Sequence, residues 1–242
     1  MITGMQGLVS SMQAQWQRHE VIANNLANAT TTGFKRDDLL ILSSAQGLPG
    51  TGGADPSLSA LPTIQWTDYS QGEIRPTGRS LDVAIDGNGF LAVQTLQGER
   101  YTRAGALNMN ADGNLVTSEG NVVLGTSGGP IPVRSSRITV APDGQISDGT
   151  RTIGTLKVVD FPRPYRFTKE GNGLFAPSDS AAVPQPAQNY QVVGGAVEAS
   201  NVKPIEVMVS MIEVLRKYEA LQRTIQAVDD ANRQSTSEIG KV

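Results

Sequence analysis

The sequence predicts an α+β fold: N- and C-terminal helices forming one discontinuous coiled-coil domain, with an all-β domain between them. Three observations predict it. Both ends carry apolar residues at alternating steps of three and four. The middle carries short β-branched runs separated by glycine-rich turns. Segments rich in Ser, Gly, Pro and Ala flank that middle.

At the N-terminal end the stripe is Ile2, Met5, Val9, Met12, Trp16, His19, Ala23 and Leu26. Thr3 and Gln6 read as a capping box, and Asn28 and Gly33 bracket the stop. Residues 37–75 read as an extended connection, of which 43–62 lack any period. From about Gln65 the pattern becomes strand and turn, with strands expected at 81–85, 90–95, 115–117, 121–124, 131–133, 137–140, 153–159 and 173–175. From Asn201 the chain turns helical. Pro204 suits only a first turn, and Glu206 suits that end of the helix dipole. The second stripe is Met211, Val214, Tyr218, Leu221, Ile225 and Val228. Glu213/Lys217, Glu219/Arg223 and Asp229/Arg233 stand four apart and support the helix, which is expected to fray near Ser235–Gly240. The expected domains are 1–36, 37–75, 76–196 and 197–242, the first and last making one assembly domain.

Stripes of this kind need another helix beside them. Helices at opposite ends of a chain satisfy each other or neighbouring copies. That points to a stacked subunit and not to an enzyme built around a cleft.

Composition narrows the classes. The net charge is −3 with both signs mixed along the length, so no basic stripe suggests nucleic acid. No apolar stretch approaches the roughly 20 residues that span a bilayer. There is no cysteine, hence no disulfide and no thiolate metal site. The first charged side chain is Arg18, so the start does not read as a cleaved secretory signal.

Three constellations resemble chemical sites. Asn108, Asn110, Asp112, Gly113 and Glu119 fall on a calcium-loop template, but the flanks read as strands where that loop needs helices. A hairpin turn at Asp112-Gly113 is the simpler reading. Gly87, Gly89 and Ala92 echo a dinucleotide fingerprint, yet a strand follows where a helix end must receive the pyrophosphate. Asp82 and Asp86 form a carboxylate pair on one strand face only if the strand runs that far. His19 alone, without cysteine, makes no convincing zinc site. The reading therefore assigns no catalytic, metal or cofactor-binding residue, no cofactor, no small-molecule substrate and no enzymatic activity.

One resemblance spans residues 1 to about 235. Ile22, Ala23, Asn24, Asn25, Leu26, Ala27 and Asn28, then Gly33, Phe34, Lys35 and Arg36, resemble the N-terminal signature of bacterial flagellar rod and hook proteins. Val197, Glu198, Ala199, Ser200, Asn201 and Val202, with Arg216 to Glu219, resemble the C-terminal signature. The stretches Leu81–Phe90 and Tyr101–Gly105 are similar to the family's middle. The short connection before Asp82 and the turn Asn201–Pro204 resemble the proximal rod type, with the distal type as the alternative. A calcium-dependent binding module is the competing class. The resemblance implies export by the flagellar type III apparatus and a place in the periplasmic rod of the basal body. It also implies partners that are copies of the chain and neighbouring rod proteins, and a helical tube that transmits torque.

Overall fold

The computed structural model describes residues 2–42, 63–135, 137–149, 151–179 and 182–239, and the side chains at 2–6, 232 and 235–239 lie outside that description. The expected aperiodic segment 43–62, and Gly240, lie outside the described residues. The chain divides into two compact units, one of residues 1–27, 37–68 and 203–242, the other of 28–36 and 69–202.

The first unit holds α1 (Ile2–Ala27), β1 (Asp37–Ile41), β2 (Thr63–Thr67) and α2 (Pro204–Ile239). α1 packs against both α2 and β1. It begins at Ile2, so Thr3 lies inside the first turn and not at the position before it that a capping box requires. α2 begins at Pro204, the position where a missing N–H is harmless. It continues past Ser235, where fraying was expected. Residues 37–75 are not a plain connection: β1 and β2 pair antiparallel, from Asp37 opposite Thr67 to Ile41 opposite Thr63. No helix among the described residues is long and apolar enough to cross a membrane.

The second unit is built of strands: β3 (Ile74–Pro76), β4 (Val83–Gly87), β5 (Phe90–Thr95), β6 (Gly98–Thr102), β7 (Leu107–Met109), β8 (Leu115–Thr117) and β9 (Val122–Val123). There follow β10 (Thr139–Val140), β11 (Gln145–Asp148), β12 (Arg151–Thr155), β13 (Val158–Asp160), β14 (Phe167–Lys169), β15 (Leu174–Pro177), β16 (Gln185–Pro186), β17 (Tyr190–Gly194) and β18 (Ala196–Glu198). The largest sheet runs β14-β15-β6-β5-β9-β8-β7, with β13 pairing to β5 and β16. β10-β11-β12, β17-β4 and β18-β3 form smaller sheets.

β5 shows how sequence sets the core. Successive side chains of a strand point to opposite faces. Leu91 and Val93 enter an aliphatic cluster with Leu107, Leu115 and Ile146. Phe90 and Ala92 enter an aromatic cluster with Tyr101, Phe161 and Phe175. Both faces are covered, so an unbroken apolar run is what this strand requires.

The turn glycines are structural. Gly87 (φ +99°) and Gly89 (φ +118°) connect β4 to β5, so a strand follows where a dinucleotide site needs a helix. Gly113 (φ +77°) turns β7 into β8, with the Asn114 N–H donating to Asn110 Oδ1 at 2.8 Å. The calcium-loop template is therefore a hairpin turn.

Candidate assembly interface

The chain ends carry two separate features, one in each unit: a buried ion cluster in the β-rich unit, and the faces of the helix pair in the helical unit.

The cluster lies in the β-rich unit. Gly33 is left-handed (φ +67°), and a Cβ there would stand 2.3 Å from the Arg103 carbonyl carbon. Only glycine lets the chain approach this closely. The Gly33 N–H donates to the Glu198 carbonyl at 2.8 Å. Next along the chain, Lys35 turns inward. Its Nζ donates to Glu198 Oε1 at 2.5 Å and to the Ser70 carbonyl at 2.7 Å. Glu198 Oε1 also accepts from the Gly72 N–H at 2.9 Å, and Oε2 from Arg103 at 3.1 Å. Arg103 donates further to the Ile85 and Gly87 carbonyls at 3.0 and 2.6 Å. The Lys35 and Glu198 side chains are 1% and 0% exposed, Arg103 6%. Charges this deep survive only when each is paired and hydrogen-bonded. Lys169 lies over the Phe34 ring at 4.6 Å. Arg36 N–H donates to Asn201 Oδ1 at 2.8 Å, and Asn201 Nδ2 donates to the Ser70 carbonyl at 3.2 Å.

Asn25 does comparable work in the helical unit. Its amide bonds both backbone groups of Asp37, donating to the carbonyl at 2.6 Å and accepting from the N–H at 2.9 Å. Ala23 and Leu26 are half-buried, while Asn24 and Ala27 are exposed. Asn28 Oδ1 accepts from the Thr31 hydroxyl at 3.2 Å. Ser200 Oγ accepts from the buried Val202's N–H at 3.2 Å.

On α2, Val214 is buried, and Met211, Tyr218, Leu221, Ile225 and Val228 are half-buried. On α1 the placement differs from the expected stripe. Ala14, Ile22 and Asn25 are the buried positions, while Val9 and Trp16 are exposed and Met12 is half-buried. The Ile2 and Met5 side chains lie outside the described residues. Trp16 stacks on His19 at 5.8 Å and lies 6.4 Å from the Tyr218 ring. With 3.6 residues per turn, Trp16 and Ile22 stand roughly 120° apart, so α1 is apolar on two sides. A seven-residue pattern selects the larger side chains and passes over the smaller ones that pack within the chain.

The other sequence candidates separate. Asp82 is buried and accepts from Thr77 Oγ1 at 2.6 Å, whereas Asp86 is exposed and accepts from Gln71 at 3.1 Å. They do not form a pair. Among the described residues no group of three or more His, Asp or Glu is arranged to hold a metal ion.

Lys35, Arg103 and Glu198 stand in three separate sequence motifs, and only the fold brings them together. Their partners are distant in sequence, so no local period announces them.

Comparison with known families follows the same geometry. Residues 5–35, spanning α1 and its exit, match the model described as flagella basal body rod protein. Residues 84–148 match the flagellar hook protein FlgE/F/G D1 domain, and 193–238 match the flagellar basal body rod FlgEFG protein C-terminal. The flagellar basal-body rod protein FlgF of Caulobacter vibrioides is 35% identical over 226 residues, 92% of each chain. The chain belongs to the flagellar basal-body rod protein family. The FlgF protein of Salmonella typhimurium is 36% identical over 227 residues, 87% of each chain. FlgG of Agrobacterium fabrum is 33% identical over 249 residues, 91% of this chain and 93% of its own. In this rod-family chain the N-terminal and C-terminal matches meet at the Lys35–Glu198 pair.

Proposed function

We infer that this chain is a structural subunit of the bacterial flagellar basal-body rod, self-assembling through its terminal helices into a helical tube that transmits torque across the periplasm. The observation that carries this reading is the pairing of α1 with α2, each with apolar side chains left outward, in a chain whose β-rich unit has its own cores. Helices apolar on two sides gain stability only by further packing. Coiled-coil contacts between copies follow from that. The reading assigns no catalysis and no cofactor, and it makes the flagellar export apparatus and neighbouring rod proteins the partners.

Within the rod, the short connection before Asp82 supports the proximal, FlgF-type position over the FlgG type. Relatives of both names match over most of the chain. The test is a deletion strain with isolated basal bodies. The account expects truncated rods and loss of swimming on deletion, and the chain present in wild-type rods. A deletion strain with complete rods and normal swimming would overturn it.

A further inference from the structure

The β-rich unit carries a pocket of about 370 Å³ beside the β4–β5 turn. Small-ligand sites start at about 300 Å³. Among the described residues, the charged side chains lining it are two arginines, Arg103 and Arg163, and no carboxylate lines it.

Arg103 is the buried one. The Ile85 and Gly87 carbonyls and Glu198 take three of its five N–H groups. Its Nε is buried and has no acceptor among the described residues. A buried donor left unmet is costly, and a ligand oxygen beside this guanidinium would relieve that cost. Arg163 is exposed. Its Nη2 donates to Asn88 Oδ1 and, at 3.4 Å, to the Tyr165 hydroxyl. Its Nε and Nη1 make no hydrogen bond among the described residues. Arg103 holds the Gly87 carbonyl and Arg163 the Asn88 side chain, so both guanidiniums are fixed to one dipeptide.

The walls are aromatic. Tyr69 and Tyr165 meet edge to face with ring centroids 5.3 Å apart, and the Arg163 guanidinium lies over the Tyr165 ring at 5.3 Å. Two carboxylates stand behind the lining. Asp86 accepts from Gln71 at 3.1 Å, and Asp160 accepts from the Tyr165 hydroxyl at 2.7 Å. They temper the positive field, so the pocket suits one negative charge and not two.

We propose that this pocket binds a carboxylate carried on a small apolar or peptide body, with buried Arg103 and exposed Arg163 as its two donors. Guanidinium forks match the planar carboxylate, and the tyrosine rings cover the body behind it. The site is independent of the helix pair and of the assembly reading.

The test is calorimetric titration of the full-length chain with four probes. Benzoate stands for a free small carboxylate, and acetyl-Gly-Glu-Gly-amide for an acidic protein segment. Acetyl-Gly-Gln-Gly-amide and inorganic phosphate are the controls. Saturable binding of benzoate or of the Glu peptide is expected, with none for the Gln peptide, and the tighter of the two names the source. Arg163→Gln should weaken that binding at least tenfold at an unchanged melting temperature, because the side chain is exposed. Arg163→Lys keeps the charge without the fork and should fall between. Arg166→Gln removes an exposed charge three residues on, outside the lining, and should leave the affinity unchanged. No saturable binding of either carboxylate overturns the site. So does phosphate binding more tightly than both, or equal weakening by Arg163→Gln and Arg166→Gln.

Discussion

Lys35 and Glu198, 163 residues apart, form an ion pair at 2.5 Å with side chains 1% and 0% exposed. Arg103 completes the cluster from the other carboxylate oxygen. The segment leaving α1 and the segment approaching α2 are thus joined inside the β-rich unit.

Glu198→Gln is expected to destabilise that unit by about 3–5 kcal/mol, because it leaves two buried cations facing each other. Lys35→Met should cost less, since Arg103 and the Gly72 N–H still hold the carboxylate. Urea unfolding followed by tyrosine fluorescence measures both. Equal losses, or none, would show that the Glu198 carboxylate does not hold this junction together.

Gly72 tests the same junction sterically. A Cβ there would stand 2.0 Å from the Ala199 carbonyl oxygen, which is backbone and cannot rotate away. Gly72→Ala should destabilise by about 1–3 kcal/mol. Gly7→Ala meets nothing within 4 Å on α1 and should stabilise the helix by about 1 kcal/mol. Thermal melts of the two variants should move in opposite directions.

The Asp112 turn should ignore calcium. Glu119→Gln should leave the melting temperature unchanged with or without millimolar calcium, because Asn110 and Gly113 shape a hairpin. A calcium-induced rise that Glu119→Gln abolished would restore the binding-module reading.

Much of this architecture was legible. β5 and β8 occupy the residues their apolar runs predict, and α2 begins at Pro204. β1 and β2 were not. Leu39 and Ile41 on one strand pair with Gln65 and Thr63 on the other, across the long segment 43–62, and no local turn signal joins them. The inward side of α1 was missed because small Ala14 and polar Asn25 carry it, while Trp16 dominates any apolar pattern. The ion cluster needed the fold itself: sequence shows three charges but not their meeting.

Tyr101 sets an alkaline limit. Burial, chiefly, pushes its phenol up from 10.0 to about 12, and burial also raises Tyr165 and Tyr190. Below pH 10 the phenol is neutral folded and unfolded, so its stabilising contribution is fully present. Between about pH 10 and 12 the unfolded chain ionises first, so stability falls as pH rises. Tyr101→Phe keeps the ring packed on Phe161, now 4.8 Å away, and should flatten that decline in melts recorded across the window.

We propose the helix pair, and not the β-rich unit, as the assembly seam. The most direct measurement is swimming and rod assembly in cells whose only copy carries Leu221→Asp. Leu221 is half-buried on α2 between Tyr218 and Ile225, in the helical unit and outside both β cores. A carboxylate in that apolar seam costs several kcal/mol, and every copy repeats it. The account predicts normal synthesis, an unchanged melting transition of the β-rich unit, and no rod or motility. Wild-type swimming with normal rods in the Leu221→Asp strain would contradict it.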